Sequence, residues 1–230
     1  MSDGSRIDER ERALAGLLRL KIFPLPGAVL LPGSAVPLHV FEPRYRKMVR
    51  DCQAGDRVLA LAQIAPQASP QTGAPRLLPV LGVGVLERVE PLADGRFNIL
   101  LKGVLRARIL AEPTSAEVYR VVQAEPLLDD PKEAARADVL RAAEDLRRML
   151  LALVSARPEA DADGLTHAAR EREPGALADL AAGVLLESPH ERQNVLEALY
   201  LAKRLDLVAA AAATQLARTL PRQSQSKLLN

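Results

Sequence analysis

The chain has no tryptophan and only three Phe and three Tyr among 230 residues. Its core therefore has to be filled by Leu, Val, Ile and Ala, and an apolar fraction of 48% is ample for that. The same scarcity argues against a base-stacking nucleic-acid surface, which interleaves aromatic with basic side chains. A single cysteine, Cys52, excludes an internal disulfide and fits a reducing compartment. Lysine is scarce too: six of the 31 basic residues are Lys, and the net charge of +2 is small for a nucleic-acid binder. No charge-free apolar run reaches the roughly 18 residues of a membrane helix. The first twenty residues alternate charges (Arg6, Asp8, Glu9, Arg10, Glu11, Arg12) before Leu14, Leu17 and Leu18, without the apolar stretch of a secretory signal. The expectation is a soluble cytoplasmic protein with no membrane partner.

Chemistry-bearing constellations are equally sparse. A zinc site needs three or four N/S ligands; the three His, at 39, 167 and 190, and Cys52 lie far apart in sequence. Asp161-x-Asp163-Gly164 lacks the further acidic ligands and closing Glu of a calcium loop. Gly82-Val83-Gly84 has Glu87 at the third glycine position of a dinucleotide fingerprint. There is no G-x-x-x-x-G-K-[S/T] to cradle phosphates. Cys52 reads as a buried, inert thiol, and His39 as a structural residue bonded to backbone or a nearby carboxylate. No catalytic residue, metal or cofactor is expected.

What is present divides by period. Val36, Leu38 and Val40 alternate with Pro37, His39 and Phe41, the pattern of a half-buried strand. Further strands are expected at 57–64, 80–90, 97–102, 105–110 and 118–125. Gly82 and Gly84 inside one of them imply a bulge, a bend or a close backbone approach. Asp94-Gly95 predicts a two-residue type I′ hairpin. One helix interrupts this half: Pro43 fits its first position, Tyr45, Met48, Val49 and Cys52 form an apolar face, and Gly55 ends it. A proline-rich loop runs from Ala65 to Pro79. In the second half Asp130-Pro131-Lys132-Glu133 opens a helix whose seam is Val139, Ala143, Leu146, Leu150 and Leu153. Residues 157–173 read as a linker. A helix from Pro174 carries Leu177, Leu180, Ala181 and Val184. Ser188-Pro189-His190-Glu191 starts another, which either continues or breaks and restarts through Leu205 to Leu220.

Four blocks carry a family resemblance. They are Phe23-Pro24-Leu25 through Pro32-Gly33 to Leu38-His39-Val40-Phe41-Glu42-Pro43-Arg44-Tyr45; Gly82-Val83-Gly84-Val85; Asp94-Gly95-Arg96-Phe97-Asn98-Ile99 leading to Gly103 and Arg106; and Ala178-Asp179-Leu180 through Gln193-Asn194-Val195-Leu196-Glu197 to Arg204-Leu205. In this order they resemble the N-terminal substrate-binding domain of Lon-type ATP-dependent proteases, the peptidase S16 family. The resemblance implies an α+β fold: a twisted, PUA-like β pseudo-barrel followed by a helical bundle. The expected organisation is an N-terminal extension over 1–19, the β subdomain over 20–128, the helical subdomain over 129–220 and a disordered tail over 221–230. The ATPase and the Ser–Lys peptidase of a complete Lon protease have no counterpart, so the resemblance implies a free-standing, non-enzymatic module.

The implied function is recognition of unfolded or exposed protein segments in protein quality control, as an adaptor for a separate Lon-type protease. The alternative is RNA binding through the PUA-like half. Candidate peptide contacts are Pro24, Pro26, Leu30, Pro32, Phe41, Tyr45, Pro66, Pro70 and Pro75. A candidate basic face comprises Arg44, Arg46, Arg50, Arg106 and Arg108.

Overall fold

A computed structural model describes residues 3–66, 75–156 and 162–219. Its contacts define two compact units. One holds the described residues up to Asp129 together with Glu187–Leu199; the other holds the described residues of Asp130–Leu186 and those from Tyr200 on. The fold class is α+β, as expected. No helix among the described residues is long and apolar enough to cross a membrane.

The first unit is built on six strands: β1 (Leu20–Pro24), β2 (Ala35–Val40), β3 (Val58–Ala62), β4 (Val80–Pro91), β5 (Phe97–Ala111) and β6 (Arg120–Leu127). They are ordered β2-β5-β4-β3-β1-β6, and β6 also pairs with β5. Five strands therefore close into a barrel with β2 flanking it. All pairings are antiparallel except β1 with β3. β1 was not expected from the pattern, because Leu20, Ile22, Phe23 and Pro24 are all buried and no alternation is visible. The expected strands at 97–102 and 105–110 are one strand. β5 holds β2 along 97–102 and β6 along 106–111 on one edge, and β4 on the other.

The partner change on β5 happens beside Gly103, and the reason is a buried crossing. Val29, Leu30 and Leu31, all buried, run against β4 and β5. A Cβ at Gly82 would stand 1.9 Å from the Leu30 carbonyl oxygen, and one at Gly103 would stand 2.2 Å from that of Leu31. Gly33 N–H donates to Gly103 O at 2.9 Å and Gly103 N–H to Ser34 O at 2.8 Å. The strand glycines are thus close-approach sites, with a register shift at Val83/Gly84 as well.

The β4–β5 connection is not type I′. Among its residues only Gly95 has positive φ, at 80°. Gly95 N–H donates to Leu92 O, and Leu92 N–H to Arg96 O. This is a type I turn closed by a glycine bulge, the usual three-residue solution.

Two helices cover the strands. α1 (Asp3–Ala15), with the 3₁₀ turn Gly16–Arg19, lies in the stretch expected to be an extension. It contributes Ala13 and Leu17 to a core cluster with Leu20, Ile22, Val58, Ala60, Leu81 and Val83. α2 (Pro43–Ala54) buries Tyr45, Met48, Val49 and Cys52, the face read from the sequence. These pack with Phe23, Leu30, Leu59, Leu61, Phe97 and Leu101. β3 serves both clusters and is buried on both faces, as strands covered on two sides are. After Gly55 the chain needs one left-handed residue, and Arg57 takes it at φ 63°. Its guanidinium donates to Leu86 O through Nε and Nη2 at 3.1 and 2.6 Å.

The second unit contains α3 (Pro131–Ala134), α4 (Ala137–Ser155), α5 (Asp163–Ala169), α6 (Pro174–Leu185) and α8 (Leu201–Thr219). α4 buries the seam expected for it, from Val139 to Leu153. Asp130 caps α3 by accepting from Lys132 N–H, but Glu133 accepts from Ala202 N–H instead of closing a capping box. α5 occupies part of the stretch read as a linker, and its Leu165, Ala168 and Ala169 are buried. On α6 the apolar face is turned by one residue from the expected one: Leu185 is buried while Val184 is exposed. The buried face also carries Asp179, its carboxylate lying 3.6 Å from the fully buried Arg204 of α8.

α7 (Pro189–Glu197), capped by Ser188, belongs to the first unit. Gln193 Nε2 donates to Val80 O at 2.9 Å, and Gln63 Nε2 donates to Pro189 O. The helix breaks after Glu197 and α8 restarts at Leu201.

Candidate functional site

The nine apolar candidates do not form one surface. Leu30 is fully buried in the crossing segment, and Pro24 and Tyr45 are buried as well. Tyr45 packs on Phe23 with ring centroids 4.3 Å apart, and its burial raises the hydroxyl pKa. These three are core residues and offer no contact surface. Pro26 and Pro66 are exposed, and Pro32 and Pro75 half-buried. The Pro75 carbonyl is occupied by Arg120 at 2.7 Å. Pro70 lies outside the described residues. Phe41 stands apart: it is 60% exposed, although it follows a strand of the core sheet.

The basic candidates separate in the same way. Arg106 is 3% exposed and paired with Asp129, so it belongs to the interior and not to a face. It was expected outside because it alternates with Leu105 and Ala107. Arg108 pairs with Glu125 at 3.1 Å. Arg44 pairs with Glu42 at 2.8 Å and lies over the Tyr45 ring. Arg50 lies over the Phe97 ring, 5.6 Å from its centroid. The Nη2 of Arg46 lies 3.2 Å from the point where a Cβ on Gly95 would stand, and its Nε is buried without a hydrogen-bond partner. No ion pair holds Arg46 or Arg50 among the described residues.

These contacts gather several candidates at the tip of the β4–β5 hairpin. His39 and Phe41 stack with centroids 6.3 Å apart. Arg96 Nη1 donates to His39 Nε2 at 3.2 Å, because arginine has no acceptor. That fixes the ring proton on Nδ1, which donates to Asn98 Oδ1 at 2.8 Å; Asn98 Nδ2 in turn donates to Glu90. His39 is therefore held by an amide and a guanidinium, not by backbone or a carboxylate. The chain of bonds fixes one wall of the patch, with Phe41 exposed beside it. Arg96 is itself held by Asp94, whose carboxyl pKa is lowered by that bond.

A second feature is a polar cavity of about 360 Å³ lined by Arg19, Lys21, Lys47, Asp51, Asp56, Glu117 and Tyr119, among others. Its charges other than the exposed Arg19 pair with one another. Lys21 pairs with Asp56 at 3.1 Å, and Lys47 with Asp51 at 2.5 Å and Glu117 at 2.9 Å. Tyr119 donates to Asp51 at 2.7 Å. The bonds from Lys47 and Tyr119 lower the Asp51 pKa, and burial followed by the Asp51 bond raises that of Tyr119. A charged ligand there would have to break these pairs, so the cavity is a structural ion network. Cys52 nearby is inert: burial pushes its thiol up to about 12. Among the described residues no three His, Cys, Asp or Glu side chains group to hold a metal ion.

Sequence reading singled out Phe41, Arg46 and Arg50. It missed Arg96 and Asn98, whose signal was the register that sets Asn98 opposite His39.

Residues 19–211 match the family model of the ATP-dependent protease La (Lon) substrate-binding domain. The chain is 31% identical over 202 residues to Lon protease 2 of Sorangium cellulosum, covering 85% of this chain and 24% of that one. It is 29% identical to Lon protease 1 of Thermus thermophilus over 198 residues, again 24% of the relative. It thus spans about a quarter of the length of these curated relatives. Among solved structures it is similar to the N-terminal domain of Mycobacterium avium complex Lon protease, with a TM-score of 0.67 at 20% identity, covering 85% of this chain and 98% of that one. A Lon N-terminal domain protein from Xanthomonas campestris gives a TM-score of 0.57 at 25% identity, covering 84% and 97%. The fold is thus one shared with Lon N-terminal domains, and the chain belongs to the Lon substrate-binding domain family.

Proposed function

We propose that this protein is a recognition module for exposed segments of other polypeptides, serving protein quality control as an adaptor to a Lon-type protease. The observation that carries the reading is Phe41, one of three Phe in the chain and 60% exposed on a rigid, hydrogen-bonded frame. A large aromatic ring kept in water is a poor use of a scarce core residue, and rigid aromatic anchors are what binding surfaces use. Pro26, Pro32 and Pro66 supply further candidate contact area.

No chemical step is assigned to the module. Nor does any observation favour nucleic acid: Arg106 is buried, and Arg44 and Arg108 already hold carboxylates.

The test is binding of a fluorescent, reduced and alkylated unfolded protein, followed by anisotropy. Saturable binding is expected, and Phe41→Ala should weaken it about five- to thirtyfold, the range of a 1–2 kcal/mol anchor. Absence of binding by the unaltered chain removes the reading. The adaptor part is checked separately: a Lon-type protease should degrade the same unfolded protein faster when the module is added, and an unchanged rate removes that part alone.

A further inference from the structure

We infer that the recognised segment binds as an added strand on the open edge of β2. The inference rests on the recognition reading above and names its substrate class: extended segments with apolar side chains at alternate positions and free main-chain N–H groups. β2 is the end strand of its sheet, and among the described residues it pairs with β5 alone. Two hydrogen bonds show which of its groups face that partner: Gly103 N–H donates to Ser34 O, and Leu92 N–H, on the β4 side, donates to Arg96 O. The N–H and C=O of a strand residue point the same way, and the direction alternates along the strand. Phe97, Ile99 and Leu101 therefore turn toward β2, where they meet Val40, Leu38 and Val36. Ala35, Pro37 and His39 turn their main-chain groups outward. Pro37 agrees, because a proline in an edge strand sits where its missing N–H would face away from the sheet. Among the described residues no backbone hydrogen bond reaches these outward groups.

The edge thus offers N–H and C=O at Ala35, C=O alone at Pro37, and N–H and C=O at His39. Another extended main chain is what matches such a row of donors and acceptors. Antiparallel bonds are the stronger of the two kinds, so the segment runs antiparallel to β2. Both flanks suit apolar side chains. On one face Val36 and Leu38 are half-buried and pack against the core cluster, so a neighbouring strand would complete their cover. On the other face Ala35 and Pro37 are exposed, and the row ends at the stack of His39 with Phe41. The occupant is a segment of another polypeptide and not a second copy of β2. Two β2 strands paired antiparallel lose a bond at each copy's Pro37, whereas a foreign segment loses one only. Pro37 thereby guards the edge against self-association and leaves it open to substrate.

The experiment uses the full chain and a short labelled peptide in which Val and Gln alternate, followed by anisotropy. Val suits the face of Val36 and Leu38, which leaves each Gln directly opposite Ala35, Pro37 or His39 with its N–H turned to the edge. One version of the peptide is N-methylated at every Gln and another at every Val. Methylation at Gln should weaken binding at least about tenfold, and methylation at Val less than about threefold, because only the first removes the bonding N–H groups. Pro37→Ala supplies the missing edge donor and should tighten the unmethylated peptide about two- to tenfold, a gain that no misfolded variant would mimic. Equal affinities of the two methylated versions, or a Pro37→Ala variant that binds no more tightly, overturn the inference and leave the recognition reading standing. So does an unfolded protein that binds while the peptide does not. A chain that sediments as a dimer and binds no peptide assigns the edge to a second copy and overturns it as well. Binding of neither peptide nor unfolded protein overturns both readings.

Discussion

Asp51 receives an ammonium from its own helix and a phenol from beside β6. Both bonds favour the charged carboxylate, so its folded pKa lies below the unfolded value of about 4. Its contribution is complete above that unfolded value and is lost as pH falls through the lowered folded one. Asp51→Asn should therefore cost stability at neutral pH, and the gap to the unaltered protein should close in strong acid, as urea midpoints across pH would show. Tyr119 has the opposite sign: its raised pKa adds stability that is present below about 10 and fades as pH rises above it. Tyr119→Phe should cost about 1 kcal/mol at neutral pH, one hydrogen bond to a partly exposed charge. A variant as stable as the parent would mean that the bond contributes nothing. At this scale the sequence spoke clearly for residues whose surroundings are local, such as Met48 and Cys52 on one helix face. It misled for Leu30 and Arg106, because the strands that Leu30 crosses and the Asp129 that pairs with Arg106 are distant from them in sequence.

The strand glycines link element to fold. Gly82→Ala would drive a methyl group into the Leu30 carbonyl, a contact that only backbone displacement relieves. A loss of more than about 4 kcal/mol, or failure to fold, is expected. Gly164→Ala is the contrast: its Cβ meets the exposed side chain of Val184 at 3.0 Å, which can turn away, and alanine suits the first turn of α5. It should change stability by less than about 1 kcal/mol. Urea unfolding of the two variants checks both, and similar losses would refute the crossing as the reason for Gly82. Period-2 and helical patterns were legible wherever one face meets water, as in β2, α2 and α4. They failed for β1, hidden on nearly all its residues, and for α6, whose buried face also carries Asp179, paired with Arg204. The hairpin patch was half legible: its side chains could be named, but the turn and register that unite them could not.

At the scale of the molecule, the β unit is discontinuous in sequence. The chain leaves it at Asp129, builds helices, returns as Glu187–Leu199 and leaves again. On α7, Val195 and Leu196 are buried, and Gln193 satisfies the Val80 carbonyl. A fragment ending at Asp129 should therefore melt below the complete chain. A synthetic peptide of residues 187–199 added to it should raise the midpoint, followed by circular dichroism. A midpoint indifferent to the peptide would show that the barrel is complete without the return.

That return also sets a timetable. During synthesis the last piece of the barrel leaves the ribosome 70 residues after the strands are finished, a delay of roughly 4–14 s at ordinary elongation rates. For that interval the surface α7 will cover is open to chaperones. The proposed recogniser of other proteins' exposed segments would thus spend its own first seconds unfinished.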